Sequence, residues 1–185
     1  EGSMAYRKEK YSRYNSGESF NADSMKFNSN ESYQTLLKER TVYGGGGIIP
    51  DHFVPLDTTG TSAYFNKLIR KGIFNQFALS WVNKNREYLE KKYPNFDKFN
   101  SKFDTQNAVD ELIEYAEVEG LEFKEDQYNK AKHVIHTRLK ANIAQDLFNY
   151  KKFYQIINDL NNALEKSLEL LKDDKAFSKL AMNNN

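Results

Sequence analysis

The sequence has no cysteine, three prolines, nine glycines and one tryptophan among 185 residues. Without cysteine there is no disulfide, no thiolate metal site and no cysteine nucleophile. No apolar run approaches the roughly 18 residues of a membrane span, and no signal peptide opens the chain. A charge bias is missing as well, since 27 basic and 26 acidic residues leave a net charge of +1. Nucleic-acid binders carry a basic excess or a basic stripe, so nucleic acid is not expected as a partner. The chain opens at Glu1 rather than at methionine, which leads us to expect a processed or excised piece.

What the chain has in quantity is aromatic surface. Phenylalanine (13) and tyrosine (12) bring the aromatic share to 14%, beside 39% hydrophobic and 29% charged residues. That balance belongs to folded globular proteins rather than disordered ones. It fills a core and leaves rings over for contact surfaces.

Along the chain two regions differ in pattern. Residues 1–60 are mixed. "MAYRKEKYSRYNSGE" predicts a short helix with Tyr11 and Tyr14 on one side and Gly17 at its end. A Ser- and Asn-rich loop follows. "YQTLL" and "RTVY" then alternate around "KER", which predicts a β-hairpin, and "IIPDHFVP" predicts an extended segment. Residues 61–185 read as a helical domain. Apolar positions from Tyr64 to Leu89 recur at helical spacing, broken at Gly72 and stopped by Pro94. A second helix starts at Asp104 or Thr105 as cap and ends at Gly120. A third stripe runs from Tyr128 through Leu147 to Leu171, with a bend expected at "FNYKK", residues 148–152. The expected fold class is mainly α: a helical bundle preceded by a short hairpin and extended segment.

Four glycines in a row, Gly44, Gly45, Gly46 and Gly47, stand out in so glycine-poor a chain. A phosphate-binding loop opens directly into a helix and carries Lys-Ser or Lys-Thr. Here Ile48, Ile49 and Pro50 follow instead, so a bent or bulged strand fits better. His133 and His136 form H-x-x-H on one helical face. The zinc-protease pattern H-E-x-x-H needs a glutamate and a third ligand, and Val134 and Ile135 stand between these two. Asp51 and Asp57 flank Pro55 as a carboxylate pair in sequence, but Asp57 before "TTGTS" reads as a turn former. No serine lies in G-x-S-x-G.

"RTVYGGGGIIPDHFVPLD", residues 40–57, resembles the end of the protease domain in bacterial C-terminal processing peptidases, also called tail-specific proteases. Those enzymes close that domain with a strand and a "G-I-x-P-D" segment, here Gly47, Ile48, Ile49, Pro50 and Asp51. A subgroup with a helical C-terminus has "G-R-x-V-Y-G-G-G-G-I-x-P-D", and the helical stretch here is similar to its tail. Glu39 departs from the glycine usual at the hairpin turn. The resemblance implies a parent serine endopeptidase with a lysine general base, acting on protein or peptide substrates in the cell envelope or periplasm. Its G-S-A-S-like and T-x-G-K-like motifs do not occur in this sequence. No catalytic residue, cofactor site or metal ligand is therefore assigned. Gly44, Gly45, Gly46, Gly47, Ile48, Pro50 and Asp51 are expected to be structural. The helical domain is expected to gate substrate access or to form a homodimer. A stand-alone helical adaptor is the rival reading.

Overall fold

A computed structural model describes residues 2–24, 32–36, 41–44 and 52–172. The chain divides into two compact units. One combines residues up to Asp57 with those from Asn162 onward, and the other is Thr58–Asn161. The sequence reading divides the chain into 1–60 and 61–185, whereas the compact units are bounded at Thr58 and Asn162.

The first unit holds α1 (Gly2–Asn15), a 3-10 turn (Ala22–Ser24), β1 (Ser32–Gln34), β2 (Thr41–Tyr43) and the last helix, Asn162–Lys172. α1 ends at Asn15, two residues before Gly17, the predicted terminator, which takes φ +88°. Beyond it the Arg13 guanidinium bonds the Glu18 carboxylate at 2.6 Å, and Tyr14 meets Phe20 edge-to-face. β1 and β2 form the expected antiparallel hairpin, with Tyr33 opposite Val42. The Leu56 amide donates to the Ser19 carbonyl at 2.9 Å. No described residue of this unit is buried.

The second unit is built of α2 (Ala63–Arg70), α3 (Ile73–Lys92), α4 (Phe96–Lys102), α5 (Gln106–Val118), α6 (Glu125–Leu147) and α7 (Tyr150–Ile157). With those named, the helix Asn162–Lys172 is α8. Ser62 caps α2 by accepting the Phe65 amide at 3.2 Å. Gly72 takes φ +70° between α2 and α3, a conformation that costs other residues dearly. At the end of α5 the Leu121 amide reaches the Ala116 carbonyl at 2.8 Å and the Gly120 amide that of Glu117 at 2.9 Å. This doubly bonded stop needs the left-handed residue that Gly120 supplies, at φ +74°.

α6 is the central element, in contact with α2, α3, α5 and α7. Its N-terminal half buries the predicted stripe, Tyr128, Ala131 and Ile135. From Leu139 onward it is enclosed more widely, with Ala141, Asn142, Ile143, Ala144 and Leu147 all buried. The reason is the break at Phe148 and Asn149. Asn149 is extended, and its side chain caps α7 by accepting the Lys151 amide at 3.0 Å. α7 folds back so that the Arg138 guanidinium lies 4.8 Å from the centre of the Phe153 ring. The bend expected at residues 148–152 thus falls at Phe148 and Asn149 and divides the stripe. Tyr150, Tyr154, Leu168 and Leu171 are exposed.

α4 is the one helix the periodicity did not announce. Asn95 caps it by accepting the Lys98 amide at 2.9 Å, and Phe99 is its single buried residue. Phe99 stacks on Phe103 at 4.6 Å and meets Tyr93 and Phe148 edge-to-face at 5.6 Å each. Truncating so enclosed a ring leaves a cavity, and Phe99→Ala should cost about 3–5 kcal/mol in urea unfolding. Gly72→Ala finds room for its methyl group but inherits the left-handed backbone. It should cost about 1–2 kcal/mol, and an unchanged urea midpoint would show that the turn relaxes.

Candidate functional site

Of the glycine-proline-aspartate residues, Gly44 closes the described part of β2's exit and is half-buried. Gly45, Gly46, Gly47, Ile48, Pro50 and Asp51 lie outside the described residues, as does Glu39. Asp57 is exposed. Within the first unit, His52, Phe53 and Pro55 on the extended segment face Glu165, Lys166 and Glu169 of α8 across an open groove of about 330 Å³. Lys166 bonds Glu169 at 2.7 Å and holds that carboxyl below the usual range.

The two histidines of H-x-x-H part company. His133 is exposed, whereas His136 is half-buried. Both ring nitrogens of His136 are engaged: Nδ1 with the Thr105 hydroxyl at 2.7 Å and Nε2 with the Tyr128 hydroxyl at 3.0 Å. Burial, then Lys132, pushes the His136 pKa down against the opposing pull of Asp104 and Asp110. Thr105 occupies the cap position of α5 but makes no side-chain cap bond, because its hydroxyl faces the imidazole. Asp104 takes the capping role instead and accepts the Gln106 amide at 2.9 Å. Among the described residues no group of three or more His, Asp or Glu side chains is arranged to hold a metal ion.

Two buried polar features punctuate the apolar interior. The Asn142 amide nitrogen on α6 donates to Asn75 Oδ1 on α3, while Asn142 Oδ1 is buried without a hydrogen-bond partner among the described residues. Tyr64 is buried at the start of α2 with its hydroxyl likewise unpartnered. Burial, with Glu117 and Tyr128 nearby, pushes the Tyr64 pKa up to about 12. An unpaired buried oxygen costs stability unless it fixes one packing over others.

An exposed aromatic cluster of the helical unit lies on α7. Tyr150 is 62% and Tyr154 45% exposed, their rings 5.0 Å apart edge-to-face and their hydroxyls 2.7 Å apart. Phe153 packs edge-to-face on Tyr154 and carries the Arg138 guanidinium on its face. Exposed tyrosines beside an arginine have the composition of a protein contact surface. Periodicity placed Tyr150 and Tyr154 on an interior stripe and so missed this face; the break at Asn149 was the signal that turns it outward. The rings support each other but enclose no core. Replacing both Tyr150 and Tyr154 by alanine should therefore cost about 1 kcal/mol in urea unfolding, and a loss several times larger would mark them as core.

Residues 64–149 match a family of unknown function, DUF8443. The match lies wholly within the helical unit, from the first buried residue of α2 to the cap of α7. No curated protein matches the chain, and no solved structure matches it.

Proposed function

We propose that the chain is the C-terminal region of a bacterial C-terminal processing serine peptidase of the cell envelope or periplasm. It would supply the last strands of the protease core and a helical domain that contacts other proteins. One observation carries the reading. No described residue of the first unit is buried, although that unit brings Tyr6, Tyr11, Tyr14, Phe20 and Tyr33 to its surface. Its two strands have three residues each, and an isolated hairpin is marginal in water. Such a segment is a fraction of a core, and the stretch "RTVYGGGGIIPD" that leaves the hairpin is the part similar to the peptidase family. The nucleophilic serine and the lysine base would then come from residues preceding this region. The helical unit would serve dimerisation or substrate gating through α7.

A second reading, a stand-alone helical adaptor, is favoured by one fact. The family match covers 64–149 and none of the hairpin, so what the chain shares with that family lies in its helices.

The reading frame on the N-terminal side of Glu1 separates the two. A G-S-A-S-like motif followed by a T-x-G-K-like motif is expected there. A start codon immediately before Glu1 would overturn the peptidase reading and leave the adaptor. The purified chain alone should not hydrolyse an unstructured peptide above a mock purification. Light scattering at high protein concentration should give the mass of a dimer, and a monomer would remove self-association from the proposal.

A further inference from the structure

We infer that Thr105, His136 and Tyr128 form an acid-sensitive clasp that holds the start of α5 against α6. The geometry is specific. The imidazole stands between two hydroxyls, 2.7 Å from Thr105 Oγ1 and 3.0 Å from the Tyr128 hydroxyl. A neutral imidazole has one N–H and one bare nitrogen, so one hydroxyl accepts from it while the other donates to it. All three polar groups are satisfied in that state. Protonation gives the ring two N–H donors. The hydroxyl that had donated must then turn its own proton elsewhere, in a place where Tyr128 is buried.

The surroundings decide how readily that happens. On α6 the ring has Lys132 and His133 as neighbours, both of which oppose a positive charge. From the α5 side Asp104 and Asp110 favour it. Asp110 is already engaged by Gln106 Nε2 at 2.8 Å. From α2 the Tyr64 phenol neighbours Tyr128 and, like any phenol, is neutral over the whole neutral and acidic range. Burial is the largest influence, and it disfavours the charged ring. The consequence for α5 is direct, because Thr105 is the residue at which that helix starts.

The linkage has a definite sign. The unfolded chain takes up the histidine proton near pH 6.5, at about the ordinary value, and the folded chain takes it up at lower pH. Between those points the unfolded state binds more protons, so stability falls as the pH drops through that window. Asp146 acts with the opposite sign, since burial raises its carboxyl pKa. Its contribution is common to every variant below.

The test compares urea unfolding of the full chain at about pH 7.5 and about pH 5.5, on either side of the ordinary histidine value. His136→Gln keeps a donor and an acceptor but cannot titrate. It should lose most of the wild-type drop in midpoint between the two pH values, whereas His133→Gln should keep it. The His136 imidazole resonances of the wild-type protein, followed by NMR across the same range, should titrate below the ordinary histidine value. Amides of the first turn of α5 should lose exchange protection as His136 protonates. An unchanged midpoint drop in His136→Gln overturns the clasp. So does a His136 that titrates at or above the ordinary histidine value, a result that needs no variant to fold.

Discussion

The enclosure of α6 is the constraint on which the helical unit depends. A helix with one apolar stripe needs one neighbour, but from Leu139 to Leu147 this helix buries residues around much of its circumference. It therefore needs α3 against one side and a returning segment against another. The alanines at 141 and 144 allow close approach where larger side chains would hold the helices apart. The chain meets the second demand by breaking at Phe148–Asn149 and folding α7 back. The aromatic knot of Tyr93, Phe96, Phe99, Phe103 and Phe148 closes the end at which that break occurs. Short α4 exists to deliver rings to it.

Polar groups inside this framework act as positioning devices more than as chemistry. Asn142 meets Asn75 across the α3–α6 contact, where a shift of one helical turn would strand both amides. A partly buried amide pair of this kind, with Asn142 buried and Asn75 exposed, disfavours alternative registers at some cost in stability. His136 performs a similar task at the start of α5, and the Lys140 ammonium does so where it donates to the Asn100 carbonyl at 2.6 Å. Each ties another helix to α6, and the tyrosines of α7 lie outside these ties.

The two units differ in physical kind. The helical one closes on itself, with residues of every helix from α2 to α7 in one core. The first has strands, tyrosines and a turn rich in hydrogen bonds, but none of its described residues is fully buried. A segment of that kind gains little from hydrophobic burial alone. No described helix is long and apolar enough to cross a membrane.

Local chemistry was enough to determine the helix limits at Gly17, Gly72, Pro94 and Gly120, the hairpin, and the buried face of α6 as far as Leu147. Those features depend on backbone conformation and on side-chain spacing, both written into neighbouring residues. Periodicity continues unbroken past Asn149, and only the folded chain shows that Tyr150 and Tyr154 turn to solvent, because the direction of a helix after a break depends on what it packs against. The same holds for α4, too short to show a period, and for Ala141, Asn142 and Ala144, whose burial comes from helices distant in sequence. His133 and His136 look equivalent three residues apart. The fold separates them, leaving one ring in water and placing the other between two hydroxyls, one of them brought from the start of another helix.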